Sequence, residues 1–278
     1  MPAVNWFPGH MAKLKRELVR LLRLADVVLE VADARLPSVS RNPLLAELVG
    51  SRRRLLLLNK ADLAEPAATA GWREAFAGLG EEAFVLAEAG RGGYGQLRQA
   101  LRRLGAERPG RALRAVVVGI PNVGKSTVIN RLGGRSRTAT GARPGITRGP
   151  QWVRLPEDLD LLDTPGLLWP RLEPAEAGIM LAATGAIPED VYDPIEVLVE
   201  LLKLERGVRV RAAVEERYGL PPGQTSEALI DSVGRSRGCL GPGGRVNLEA
   251  AARIILKEFR RGALIAVTLE GPPGGGPA

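Results

Sequence analysis

The stretch Gly119-Ile120-Pro121-Asn122-Val123-Gly124-Lys125-Ser126 sets a lysine and a hydroxyl directly after the second of two spaced glycines. Glycines let successive backbone N–H groups turn inward around phosphate oxygens, where a side chain would clash. Asn122, Val123, Gly124 and Thr127 complete that cradle, Lys125 reaches the outer phosphates, and the Ser126 hydroxyl is suited to Mg²⁺. Asn59-Lys60-Ala61-Asp62 supplies a base-reading group. The Asp62 carboxylate can accept from guanine's ring N–H and exocyclic amine together, a pair of donors that adenine lacks. Asn59 would hold the base pocket together, and the Lys60 stem would lie along it. In Asp163-Thr164-Pro165-Gly166, Asp163 suits Mg²⁺ through water, and the Gly166 N–H suits the γ-phosphate. The ligand expected from these residues is GTP, with GDP as product.

Two further positions bear on hydrolysis. Thr147, in Pro144-Gly145-Ile146-Thr147, is the natural switch threonine for Mg²⁺, with Thr138 and Thr140 as rivals. Leu167 and Leu168 follow Gly166 where a water-orienting glutamine could stand, so unaided hydrolysis should be slow. The chain has one histidine, His10, in Trp6-Phe7-Pro8-Gly9-His10-Met11. Such a histidine can cap a helix or lie on the surface, or act on the reacting phosphate together with Lys125 and Thr147. The Asn122 amide oxygen could help hold a monovalent cation near the phosphates, or the residue could serve only the turn.

The motifs come in an unusual order. The base-reading motif precedes the phosphate loop, and Asp-x-x-Gly comes last. An ordinary guanine-nucleotide domain begins with the phosphate loop and ends with Asn-Lys-x-Asp. The elements that must position them are short apolar runs, Val27 to Val31, Leu55 to Leu58, Phe84 to Leu86, Ala115 to Val118, Gln151 to Leu155 and Asp160 to Leu162. Helical patterns alternate with them near Trp72 to Leu79, Tyr94 to Leu104 and Lys125 to Leu132. That alternation predicts an α/β fold, a circularly permuted P-loop GTPase with a doubly wound, mostly parallel sheet. Residues 10–25 read as an amphipathic helix, with Leu14, Leu18, Leu21 and Leu22 opposite Lys13, Arg16, Arg20 and Arg23. Residues 106–111 read as the linker that joins the old termini. From Pro174 onward the pattern is helical, over 175–185, 189–205, 209–218, 226–235 and 247–261. The expected division is a GTPase domain at 1–172, a smaller all-α domain at 173–270, and a disordered tail at 271–278.

Of 278 residues, 45% are hydrophobic and 25% charged, enough for a buried core. Cys239 is the single cysteine, which excludes an internal disulfide and a thiolate metal cluster. No apolar run approaches membrane-spanning length, so a soluble, cytoplasmic monomer without membrane association is expected. The net charge is +8, and residues 91–154 carry 14 basic side chains against one acidic, Glu107. That density points to a polyanionic partner such as RNA, or to a solvated basic face. Residues 236–247 and the helix end Lys257-Glu258-Phe259-Arg260-Arg261 are candidate phosphate contacts, or ordinary interhelical surface.

Trp6 to Lys13, Asp33-Ala34-Arg35, Ser40-Arg41-Asn42-Pro43, Gly119 to Ser126, Pro144 to Thr147, Asp163 to Gly166, Thr184-Gly185-Ala186-Ile187 and Arg237-Gly238-Cys239-Leu240 together resemble the circularly permuted ribosome biogenesis GTPase A family (RbgA/YlqF type). The resemblance implies a GTPase in late assembly of the large ribosomal subunit, whose GTP form binds the precursor particle and whose hydrolysis releases it. It implies a helical domain that contacts ribosomal RNA, a hydrophobic residue at Leu167, His10 as the catalytic group, and K⁺ at Asn122. Slow basal turnover raised by ribosomal particles and K⁺ goes with that reading. The guanine loop falls at Ala87-Glu88-Ala89, which departs from the Ser-Ala-Lys-like pattern of other GTPases. A GTP-dependent switch for a protein or membrane-surface partner, with incidental RNA contact, is the alternative.

Overall fold

The computed structural model describes residues 16–88, 92–134, 150–156, 158–166, 168 and 174–273. His10, Ala89, Thr138, Thr140, Thr147 and Leu167 lie outside the described residues. The apolar runs form six strands: β1 (Val27–Asp33), β2 (Arg53–Asn59), β3 (Glu82–Val85), β4 (Leu113–Val118), β5 (Gln151–Leu155) and β6 (Leu159–Asp163). They make one sheet in the order β3-β2-β1-β4-β6-β5, parallel except for β5 against β6. β1 is buried throughout and sits inside the sheet, as a strand apolar on both faces must. Its two charged residues are both paired, Glu30 with Arg41 and Arg54 and the terminal Asp33 with Arg35 and Lys60. The chain winds outward from β1 through β2 to β3, then returns to β4 on the other flank. That reversal opens a crevice at the carboxyl ends of β1 and β4. The mostly parallel sheet expected from the alternation of strands and helices is therefore present.

One face of the sheet is covered by α1 (residues 16–22), α2 (Pro43–Val49) and α3 (Pro66–Gly78). Leu18, Leu21 and Leu22 meet Val28, Val116, Val118 and Leu162, while Trp72 and Phe76 meet Ala32, Leu56 and Leu58. Burying such a leucine contributes about 1.5–3 kcal/mol. On the other face, α4 (Tyr94–Ala106) and α5 (Lys125–Gly133) bring Leu97, Leu101 and Ile129 to Val27, Leu29, Leu57 and Val117. α2 has no counterpart among the helices expected from periodicity. Its signal is at its start, where Asn42 accepts from the Leu44 N–H and Pro43 takes the first turn.

Beyond residue 174 come α6 (Ala175–Ala183), α7 (Pro194–Leu201), α8 (Gly207–Tyr218), α9 (Ser226–Ser236) and α10 (Leu248–Arg260). The single helix expected over 189–205 is instead a 3₁₀ turn at Glu189–Val191 followed by α7. Asp193 caps α7 and Pro194 opens it, so the helix starts there rather than after Pro188. Gly207 permits the next turn, since a Cβ there would lie 1.7 Å from the Leu201 carbonyl oxygen. Asn247 caps α10 through the Ala250 N–H, as its position in the sequence suggests.

After α10 the chain runs back along the sheet-bearing part as a strap. The Val267 N–H donates to Leu63 O and the Leu269 N–H to Arg35 O. Glu65 and Thr268 exchange backbone-to-side-chain bonds at 3.1 and 3.2 Å, and Trp72 Nε1 donates to Glu270 O at 3.1 Å. Pro272 lies against Gly71. The Glu270 carboxylate accepts from the Ser38 and Val39 N–H groups. Burial pushes its pKa up to about 7, outweighing those two donors. A carboxyl raised in this way stabilises the fold fully below its unfolded value, and that contribution is lost as pH rises through about 7. Glu270→Gln should therefore remove part of the stability loss seen between about pH 4 and 7, measured by denaturant titration. An unchanged pH profile would count against a buried, titrating Glu270.

Candidate functional site

Every nucleotide motif lies at the carboxyl end of a strand: Asn59 at the end of β2, Gly119 after β4 and Asp163 at the end of β6. Buried Asn59 is the physical link between two of them. Its Nδ2 donates to Val123 O at 2.8 Å, inside the phosphate loop. Gly124 has φ 95°, and a Cβ there would stand 2.3 Å from Asn59 Nδ2. Gly119 is equally constrained, since its Cβ would stand 2.4 Å from Val31 O. These glycines are needed because the loop is pressed against β1 and the base-reading turn.

Lys125 opens α5 and is buried. Its Nζ donates to Gly119 O at 3.1 Å and Ile120 O at 2.9 Å. Burial pulls its pKa down to about 8, with Asp163 acting in the opposite sense. Ser126 Oγ donates to Asp163 Oδ2 at 2.8 Å, so a hydroxyl and a carboxylate from separate motifs meet at one point. Hard oxygen donors of this kind fit Mg²⁺. Thr164 Oγ1 donates to Val117 O at 2.7 Å, tying the Asp-x-x-Gly turn to β4. Gly166 rests on the phosphate loop, where a Cβ would stand 2.6 Å from Pro121 N. Thr127 lies in the first turn of α5, near Gly124.

On the base side, Asp62 Oδ1 accepts from the Glu88 N–H at 3.0 Å, joining the base-reading motif to the loop after β3. The Ala61 N–H donates to Leu86 O, and the Ala87 N–H to Gly92 O. Arg131 of α5 donates to Glu88 O at 3.1 Å. The structure thus brings Asn59, Asp62, Ala87, Glu88 and the phosphate loop into one continuous edge. Lys60 takes a left-handed conformation, φ 60° and ψ 35°, and its Nζ reaches Asp33 Oδ2 at 3.0 Å. Sequence alone assigns no chemical role to Asp33 or Arg35. The signal that could have found them is register, since Asp33 pairs with Asn59 across parallel strands.

Asn122 is also left-handed, at φ 59°, and its Nδ2 donates to Gly185 O at 2.7 Å. The phosphate loop is thereby bonded to the turn after α6. Arg260 reinforces the same turn through Ala182 O and Ala183 O. This turns Arg260 inward, away from the role of phosphate contact, while Lys257 and Arg261 stay exposed. In 236–247, Arg237 and Arg245 are exposed. At the other edge, Glu17 and Leu18 of α1 line a small cavity with Gly119, Thr164 and Pro165. Among the described residues, no helix is long and apolar enough to cross a membrane.

The profile of the 50S ribosome-binding GTPase family matches residues 114–211. A ribosome biogenesis GTPase A of Bacillus pumilus is 40% identical over 282 aligned residues, spanning 97% of this chain and 99% of that protein. One from Bacillus cereus is 41% identical, over 97% of this chain and 94% of its own length. Among solved structures, GNP-bound YlqF from T. maritima superimposes with a TM-score of 0.68 at 28% identity, covering 94% of this chain and 99% of that one.

Proposed function

The chain belongs to the ribosome biogenesis GTPase A family, and from that premise we propose that it drives late maturation of the large ribosomal subunit. It is a guanine-nucleotide-binding GTPase and an assembly factor for ribosomal subunits. In the proposed cycle the GTP form docks on the precursor particle, and hydrolysis to GDP and phosphate releases it. The Asn59–Val123 bond, which joins a guanine-reading motif to a phosphate loop, supports the nucleotide part of this reading, and the likeness to ribosome biogenesis GTPase A over 97% of the chain carries its ribosomal part.

Each residue then has a task. Asp62 accepts from the guanine donors, and the loop at Ala87 and Glu88 closes beside it. The backbone N–H groups of Val123, Gly124, Lys125 and neighbouring residues cradle the phosphates, while Lys125 neutralises their outer oxygens. Ser126 and Asp163 would hold Mg²⁺, with Thr147 closing on it. Bound Mg²⁺ supplies neutralisation of charge developing on the phosphate oxygens. The Gly166 N–H reports the γ-phosphate. K⁺ would take the Asn122 amide oxygen, whose orientation is set by the bond from its nitrogen to Gly185. His10 would act on the attacking water, a role supported by the position of Glu17 and Leu18 beside Gly119 and Thr164. The GTPase unit, 1–172, would work with a helical unit, 173–270, that grips ribosomal RNA through exposed arginines such as Arg237 and Arg245. The work would be done in the cytoplasm.

GTP turnover measured with and without purified large subunits, in K⁺ and in Na⁺, tests the reading. Particles should raise turnover, and K⁺ should raise it further. His10→Ala should cut the stimulated rate while GTP affinity stays close to that of the parent. If particles neither bind the GTP form nor raise its turnover, the assembly reading fails.

A further inference from the structure

The nucleotide motifs leave a buried charged pair unexplained. The Asp33 and Arg35 side chains are 4% and 1% exposed. Arg35 donates from Nε and Nη2 to the two oxygens of Asp33 at 2.9 and 2.7 Å, a bidentate bond of fixed geometry. Asp33 Oδ2 also accepts from Lys60 Nζ, and the Ala34 N–H donates to Asn59 O at 2.8 Å. The turn after β1 therefore braces the base-reading turn after β2 through both backbone and charge. Burial pulls the Lys60 ammonium below its ordinary value, and Asp33 opposes that pull. Burial pushes the Asp33 carboxyl up, but Arg35 and Lys60 together outweigh it and keep that carboxyl ionised far below the usual range.

Arg35 faces the strap on its other side. Its carbonyl accepts from the Leu269 N–H, and its guanidinium lies 5.7 Å from the Phe259 ring of α10. Among the described residues Nη1 has no hydrogen-bond partner, so Asp33 and the ring fix the orientation of the group. Three and four residues further along, Ser38 and Val39 hold Glu270 of the strap.

We propose that Asp33 is a positioning residue for guanine-nucleotide binding, holding Lys60 along the base and, through Arg35, tying the affinity of that site to docking of the C-terminal strap. The proposal rests on the reading of Asn59 to Asp62 as the base-recognition motif. It supplies a route from the base to the helical part that is separate from the Asn122–Gly185 bond beside the phosphates. Coupling of this kind is reciprocal: bound nucleotide must secure the strap by the same factor that the strap secures nucleotide.

The test uses the full chain with Asp33→Asn, which keeps shape and removes charge. GDP and GTP affinities are measured by titration, KM and kcat by turnover, and strap docking by hydrogen exchange at the Val267 and Leu269 amides. Both dissociation constants should rise about 10- to 100-fold, as for loss of a hydrogen bond between charged groups. KM should rise by more than kcat falls. GDP should slow exchange at Leu269 in the parent and fail to do so in the variant. Glu270→Ala, which leaves Asp33 intact, should quicken strap exchange and weaken GDP binding in the same direction. Unchanged GDP affinity in Asp33→Asn overturns the positioning role. Faster strap exchange in Glu270→Ala with unchanged affinity overturns the coupling, and remains informative should Asp33→Asn not fold. A parent chain that binds no guanine nucleotide overturns the base-motif reading itself.

Discussion

Lys125→Ala is expected to lower kcat/KM for GTP by about 10²–10³-fold, the loss typical when a preorganised charge is removed from a developing anion. The Lys125 ammonium is buried and held by the Gly119 and Ile120 carbonyls, so it is aimed along the loop before any phosphate arrives. Its lowered pKa, about 8, adds a test that a merely structural lysine would not pass. Phosphate binds the charged form, so affinity should be fullest below about pH 8 and fall as pH rises through it. The limiting slope is about tenfold per pH unit. Lys125→Ala should be flat over the same range. The measurement is nucleotide affinity from about pH 7 to about pH 9, which brackets the lowered lysine. A parent curve as flat as the variant's would mean that Lys125 does not titrate near pH 8, and the loss of kcat/KM then stands alone as the test of its phosphate contact.

Asp62→Asn is expected to weaken GTP binding by at least about 100-fold and to favour a xanthine nucleotide instead. A carboxylate presents two acceptors to guanine's two donors, whereas an amide presents one acceptor and one donor. The new donor would face the guanine amine and leave both unpaired, but would meet the 2-carbonyl of xanthine. Asp62 Oδ1 is fixed by the Glu88 N–H at 3.0 Å, and an amide oxygen can keep that bond. The loop should therefore survive the substitution, and the effect should fall on base choice. Competition between GTP and XTP decides it: if both bind Asp62→Asn as they bind the parent, Asp62 does not read the base.

The strands and the motifs at their ends are legible in the sequence because both signals are local. A run such as Leu55 to Leu58 ends in Asn59, and a buried parallel strand must deliver its last residues to the sheet edge. The rotated order is legible for the same reason, since motifs keep their identity wherever the chain is cut. α2 escapes a periodicity search because seven residues offer too little pattern, leaving only the Asn42-Pro43 start. The 189–205 stretch misleads because its apolar residues continue past Asp193 and Pro194, whose capping chemistry takes precedence. Arg260 sits in a basic cluster that reads as surface, yet its partners are carbonyls at the end of α6, far away in sequence. The strap carries no local signature of its contacts. Nothing near Glu270 says that its carboxylate meets Ser38 and Val39, 232 and 231 residues earlier.

Those separations have a consequence for biosynthesis. The chain leaves a translating ribosome amino end first, so β1, β2 and β3 emerge long before Val267 to Glu270. Until the strap arrives, the Leu63, Glu65 and Arg35 backbone and the Trp72 indole lack their final partners. The base-binding edge is thus built early and locked late, by residues translated long after it. A chain cut short before Val267 would keep every nucleotide motif while lacking the strap's bonds to Arg35, Leu63 and Glu65.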